Sequence, residues 1–248
     1  MTGYGSVASS LGLPDAGLAS YTQMLDRVTM IARTVRTPFI ADGDTGYGGL
    51  LNVAHTVRGY EAAGASAIQL EDQVFPKKCG HTPNRRVIPA EDMVRKIRVA
   101  VEARASKDFL IVARTDARSA HGLDESLRRA ELYAKAGADV LFVESPESED
   151  EMRKICERAE KPLLANMVEG GRTPVKSREV LEQLGYKIAI FPVTAMLAAT
   201  QAMVAAYGTL KAEGSSAALT QPLYPFTELS TLMGFQDVWD FEKKYAED

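Results

Sequence analysis

Two stretches of the chain carry the same pattern in register: Tyr60-Glu-Ala-Ala-Gly-Ala-Ser-Ala-Ile-Gln-Leu-Glu71 and Tyr133-Ala-Lys-Ala-Gly-Ala-Asp-Val-Leu-Phe-Val-Glu144. Each closes a helix, turns on Ala-Gly-Ala, enters a short apolar run and stops on a glutamate. A run without alternation reads as a strand buried on both faces, the habit of parallel sheets covered by helices. Working outward, further strands are expected over 38–42, 66–71, 109–114, 139–144, 162–166 and 186–191. Helices are expected over 51–63, 89–105, 124–136, 148–159, 177–184 and 194–213. This alternation predicts an α/β chain of repeated βα units. The region 1–213 is expected to be one catalytic domain, with 214–248 a C-terminal helical extension that opens on a loop containing Pro222 and Pro225.

Composition narrows the class of function. Of 248 residues, 46% are hydrophobic and 25% charged, the balance of an ordinary globular protein. A net charge of −4 leaves no basic surface for nucleic acid. No apolar run approaches a membrane span and the first residues lack a signal-peptide pattern, so a cytoplasmic location is expected. The cysteines, Cys79 and Cys156, do not frame a disulfide scaffold.

Charged and amide side chains gather where the strands end: Asp42 and Asp44, Glu71 and Asp72, Arg114 and Asp116, Glu144, Asn166. Parallel α/β folds bind ligands at the carboxyl ends of their strands, so these side chains should converge on one site. In Ala41-Asp-Gly-Asp-Thr-Gly-Tyr-Gly-Gly49 the paired carboxylates suit a hard cation such as magnesium, while a solvated Asp/Gly turn would read alike. The stretch lacks the Lys-Ser/Thr pair of a phosphate loop. In Glu71-Asp-Gln-Val-Phe-Pro-Lys-Lys-Cys-Gly-His81 the thiol of Cys79 is flanked by Lys77, Lys78 and His81. That cationic setting predicts a lowered thiol pKa and an acid or base on a mobile loop. Arg114 can hold a carboxylate in a bidentate fork, or close a structural pair with Asp116. Cys156 reads as a small helix hydrophobe, and His55 and His121 as surface residues.

The chain resembles the isocitrate lyase and phosphoenolpyruvate mutase superfamily nearly end to end. The resemblance rests on Thr2-Gly-Tyr-Gly5, Leu11-Gly-Leu-Pro-Asp-Ala-Gly17, Asp42-Gly-Asp-Thr-Gly46, Glu71-Asp-Gln73, Lys77-Lys-Cys-Gly-His81, Ala113-Arg-Thr-Asp116 and Ala165-Asn-Met-Val-Glu-Gly-Gly171. The Lys-Lys-Cys-Gly-His loop belongs to the lyase branch, which includes 2-methylisocitrate lyase, dimethylmalate lyase and oxaloacetate hydrolase. The resemblance implies a TIM-type (β/α) barrel. Fewer strands are legible than the roughly eight of such barrels, so the first strand or strands are expected to be lacking.

It further implies magnesium, or manganese in its place, on Asp42, with Asp44, Glu71 and Asp15 holding its waters. Thr2, Gly3 and Tyr4 would bind the pyruvyl region of a small dicarboxylate, and Arg114, Glu144 and Asn166 would contact the substrate. Cys79 would protonate the departing carbanion, with Lys77 and His81 beside it in the catalytic loop. The expected activity is cleavage of a 2-alkylmalate or 2-methylisocitrate type substrate. The alternatives are hydrolysis or decarboxylation of oxaloacetate, phosphonomutase-like chemistry, and an inactive interaction subunit. The apolar tail beyond residue 223 is expected to dock on a neighbouring subunit of a homodimer or homotetramer.

Overall fold

The computed structural model describes residues 1–246. The last two residues of the expected C-terminal extension lie outside it. Among the described residues six short parallel strands carry the fold: β1 (Ile40–Asp42), β2 (Ala67–Glu71), β3 (Leu110–Thr115), β4 (Val140–Val143), β5 (Leu164–Asn166) and β6 (Ile188–Ile190). All six stand where the sequence places them, β3 shifted by one residue and the other five a little shorter. The first four form one sheet in the order β1-β2-β3-β4. A parallel bridge from Leu141 to Leu163 carries the succession on to β5, which pairs with β6.

Strand parity decides which side chains meet. Successive residues of a strand point to opposite faces. On one face Ile68, Leu70, Ile111, Ala113, Leu141 and Val143 join the large core packed under the helices. On the other, Ala67, Val112, Val140, Phe142 and Leu164 form a separate small cluster. Continuing that second row by twos toward the strand tips reaches Gln69 and Glu71, Arg114, Glu144 and Asn166. Register aligns the tips, pairing Asp42 with Gln69, Glu71 with Arg114, and Asn166 with Ile190. The same alternation that buries apolar side chains low on the inner face therefore brings charged ones together at its upper rim.

Helices α3 (Leu50–Ala62), α4 (Ala90–Ala103), α6 (Leu123–Lys135), α7 (Glu149–Arg158) and α8 (Arg178–Leu184) follow the strands, with a short α5 (Arg118–His121) between β3 and α6. Ser148 and Ser177 cap α7 and α8 by accepting backbone N–H groups, so the polar residues after the strands start the helices. Two helices precede β1: α1 (Gly3–Leu11), capped by Thr2, and α2 (Tyr21–Thr34), opened by a Ser20/Gln23 capping box. Their place in the fold was not anticipated.

The chain forms two compact units, Met1–Ala195 and the residues from Met196 onward. The second contains nearly all of α9 (Thr194–Glu213), then α10 (Phe226–Leu232) and α11 (Phe235–Tyr245). None of these three helices has a buried residue. Among the described residues no helix is long and apolar enough to cross a membrane.

Candidate active site

A cavity of about 300 Å³ opens over the strand tips of the first unit. Asp42, Arg114, Glu144 and Asn166 line it from the strands, and Thr2 and Tyr4 from the start of α1. Asp15, Lys77, Cys79 and His81 line it from loops, and Phe142, Leu164, Val168, Ile190 and Phe191 supply an apolar wall. Nearly all of the site residues expected from the sequence are thus brought together. Gly3 and the carboxylates Asp44 and Glu71 stand just behind the lining.

One side of the cavity is acidic. Asp42 is held by two backbone N–H donors, from Gly3 to Oδ2 at 3.1 Å and from Asp44 to Oδ1 at 3.0 Å. Thr2 and Gly3 therefore serve first as helix cap and as support for Asp42. Asp44 is buried and sits at φ 49°, a left-handed conformation, with its N–H turned back to Asp42. Lys77 reaches in from its loop, with Nζ 2.5 Å from Asp15 and 2.7 Å from Asp44. Lys77 thus belongs to the acidic cluster rather than to the thiol it neighbours in sequence.

Burial pushes the Asp44 carboxyl up to about 7, against the pull of Lys77. Burial likewise raises Glu71, despite Arg114 and Lys77. Asp44 Oδ1, close to Lys77 but without hydrogen-bond geometry, and Glu71 Oε1 are buried acceptors with no hydrogen bond. An acceptor left unpaired like Glu71 Oε1 is costly unless something fills it, whereas Asp44 Oδ1 is compensated by the Lys77 ammonium; hard oxygens of this kind suit a divalent cation. Among the described residues no three His, Cys, Asp or Glu side chains converge tightly enough to ligate one ion directly. A cation here would be held directly by no more than one or two carboxylates, with waters completing its shell, as magnesium accepts.

The opposite side is a buried ionic lattice. Arg114 grips Asp116 through Nε and a terminal nitrogen, both at 2.9 Å, and faces Glu144 at 3.3 Å and Glu71 at 3.4 Å. Both sequence readings of Arg114 meet here, since it closes a pair with Asp116 and also lines the cavity. Burial works to raise the Glu144 carboxyl, but Arg114 and His81 outweigh it and hold the group at about 2. His81 Nδ1 accepts the backbone N–H of Arg172 at 3.1 Å, which places the ring proton on Nε2, 3.2 Å from Glu144 Oε1. Asn166 donates to Glu144 at 3.2 Å, leaving its own buried Oδ1 without a partner beside the cavity. Asn166 can therefore offer an acceptor to a ligand hydroxyl.

The loop from Val74 to Val87 lies over both sides. Gln73 pins it by exchanging two hydrogen bonds with the Lys78 backbone, at 2.8 and 2.9 Å. Gly80 rests on the Arg114–Glu144 pair, and Ser145 donates to its carbonyl at 2.9 Å. A side chain at position 80 would place its Cβ 2.6 Å from Glu144 Oε2, so only glycine permits this approach. The expected cationic activation of Cys79 does not occur. Burial raises the thiol pKa, assisted by Asp15, because Lys77 turns to the acidic cluster and Lys78 is exposed. Gln73, Arg85 and Ser145 were not singled out from the sequence. Nothing local distinguishes a buried arginine in a polar loop from an exposed one. His55 and His121 are exposed as expected. Cys156, half-buried against Tyr186, has its thiol pushed up to about 11 by burial.

Comparison with known proteins accords with this geometry. The family model described as phosphoenolpyruvate phosphomutase matches residues 1–211. The chain is 49% identical over 246 residues to 2,3-dimethylmalate lyase of Eubacterium barkeri, covering 99% of this chain and 85% of that protein. It is 45% identical over 242 residues to 2-methylisocitrate lyase of Aeropyrum pernix, covering 98% and 77%. Among solved structures, a 2,3-dimethylmalate lyase superposes with a TM-score of 0.92 at 36% identity, covering 99% of this chain and 82% of that one. An oxaloacetate acetylhydrolase bound to 3,3-difluorooxalacetate gives 0.92 at 34% identity, covering 100% and 84%. A phosphonopyruvate hydrolase in complex with oxalate and magnesium gives 0.84 at 30% identity, covering 98% and 84%. The fold is the α/β, TIM-barrel type of these proteins, and the chain belongs to the phosphoenolpyruvate mutase/isocitrate lyase superfamily.

Proposed function

We propose that the protein is a magnesium-dependent carbon–carbon lyase that cleaves a 2-alkylmalate or 2-methylisocitrate type dicarboxylate into pyruvate or another 2-oxo acid and a second carboxylate. The observation that carries this reading is the meeting, across one cavity, of a hard-oxygen cluster and a loop thiol whose pKa is raised. A raised pKa keeps a thiol protonated near neutrality, which suits a proton donor and not a thiolate nucleophile.

Asp42 would hold the cation, with Asp44, Glu71 and Asp15 orienting its waters. When bound, the ion would supply Lewis-acid stabilisation of charge developing on the 2-oxo acid oxygens. Arg114 and the Tyr4 N–H in the first turn of α1 would bind carboxylate oxygens, and Asn166 Oδ1 would accept from a hydroxyl. As the carbon–carbon bond breaks, the 2-hydroxyl would pass its proton to a carboxylate of the acidic cluster, Asp44 at about 7 being the one matched to neutrality, and its oxygen becomes the carbonyl of the 2-oxo acid. The bonding pair passes to the neighbouring carbon, which takes the proton of Cys79.

Hydrolysis of oxaloacetate on the same groups is the second reading, favoured by the equally high superposition on the acetylhydrolase. The two separate in one assay. With magnesium present, 2,3-dimethylmalate and 2-methylisocitrate should yield a 2-oxo acid, and chelation or Asp42→Ala should abolish the yield. Turnover of oxaloacetate alone would install the second reading, and metal-independent turnover would overturn the site assignment. We also propose a cytoplasmic location for the protein. It is further read as a homodimer or homotetramer, since the tail carries side chains as large and exposed as Phe226 at 83%, Leu232 at 72% and Phe241 at 63%.

A further inference from the structure

The loop bearing Cys79 contains two adjacent arginines with opposite fates. Arg86 is exposed, whereas the Arg85 side chain is 1% exposed and the Asp116 carboxylate it meets is fully buried. Arg85 donates through one terminal nitrogen to Asp116 Oδ1 at 2.5 Å and through Nε to the carbonyl of Thr82 at 3.1 Å. Thr82 in turn donates its backbone N–H and its hydroxyl to the carbonyl of Cys79, at 3.0 and 2.7 Å. A continuous chain of hydrogen bonds therefore runs from Asp116 at the end of β3 to the backbone of the thiol. Asp116 is the same carboxylate that orients Arg114, and its own N–H is held by Asp72 at 2.8 Å. The anchor is thus fixed from below, while the part that can let go is the loop.

We infer that Arg85 is a positioning residue: its pairing with Asp116 holds the Lys77–His81 loop closed, and so sets where Cys79 and His81 stand over the cavity. Arg85 does not line the cavity and touches no ligand position, so it acts through Thr82 and Cys79. Arginine suits the task because its planar fork binds a carboxylate with one edge and a carbonyl with another, which an ammonium does poorly. Removing it leaves Asp116 still doubly bonded to Arg114, so the buried carboxylate is not orphaned and the fold should survive. The catalytic consequence rests on the lyase reading above, whereas the effect on the loop does not.

The test is the rate at which iodoacetamide alkylates each cysteine of the full chain, read by peptide mass mapping for Arg85→Gln, Arg85→Lys, Arg86→Gln and the parent. Arg85→Gln should speed alkylation of Cys79 at least tenfold, Arg85→Lys should fall between, and Arg86→Gln should match the parent. Losing a nearby cation without opening the loop would disfavour the thiolate and slow the reaction, so the direction alone separates the two causes. Cys156, half-buried on α7, should react at the same rate in all four proteins. A Cys79 rate within twofold of the parent in Arg85→Gln would overturn the inference. So would a parallel rise at Cys156, which would signal general loosening. In the metal-dependent assay the same variant should lose at least tenfold in kcat/KM with unchanged magnesium affinity. If no substrate is turned over by the parent, the lyase reading fails while the alkylation result stands.

Discussion

Replacing Glu144 by glutamine keeps shape and removes one charge at the centre of the ionic lattice, so its cost can be worked from the contacts. The carboxylate faces Arg114 at 3.3 Å and His81 at 3.2 Å, and accepts from Asn166 at 3.2 Å and from the Ser145 N–H at 2.9 Å. An amide would turn an NH₂ toward one of these donors. Arg114 keeps its two bonds to Asp116, so the loss is that of a charge-assisted partner rather than of a whole pair. That places it at roughly 1.5–3 kcal/mol, below the 3–5 typical of a broken buried pair.

Linkage gives a comparable figure. A carboxyl held at about 2 against an ordinary 4.5 contributes roughly 3 kcal/mol above both values. The sign is fixed by the direction of the shift. Because the folded pKa is depressed, the stabilisation is complete above pH 4.5 and fades as pH falls toward 2. Urea unfolding of parent and Glu144→Gln at a series of pH values checks both points. The free-energy gap should be roughly 2–3 kcal/mol near neutrality, about 4–12 °C in Tm for a unit of this size, and should narrow only below pH 4.5. A gap under about 0.5 kcal/mol at pH 7, or one constant through the acid range, would refute the reasoning.

Cys79→Ser should cut turnover by at least about a hundredfold with KM little changed, since only proton delivery suffers. In the parent, the alkaline limb of the rate should lie above the ordinary thiol pKa, and an unchanged Cys79→Ser rate would remove the residue from the chemistry. Asp42→Ala should abolish magnesium binding in calorimetry while the far-ultraviolet dichroism stays that of the parent; retained binding would displace Asp42 as the ligand. Deleting residues 223–248 should convert an oligomer into aggregate, and a well-behaved monomer in light scattering, for either chain, would sink the assembly reading.

The strand tips were legible because two simple rules act there. Apolar runs bounded by turns fix where strands lie, and parity then decides which of Asp42, Glu71, Arg114, Glu144 and Asn166 share a face. The helix α2 was legible too and went unread: Ser20 and Gln23 form a capping box, and Met24 and Val28 follow at helical spacing. The thiol pKa was misjudged for a physical reason. Neighbours in sequence are not neighbours in space, and a loop that folds Lys77 toward Asp15 and Asp44 leaves Cys79 with burial as its dominant influence. Arg85 and Gln73 escaped notice because their roles depend on tertiary partners, Asp116 for one and the Lys78 backbone for the other, that no local pattern announces.

Gly80 gives the site an unusual handle. Closure there sets bare backbone against the Arg114–Glu144 pair, so the fit between loop and floor is decided at a single α-carbon. One methyl group at that carbon would act as a wedge between the loop and that charged pair, so that either the pair or the loop must give way. Gly80→Ala should therefore loosen the loop over the cavity, read as faster alkylation of Cys79.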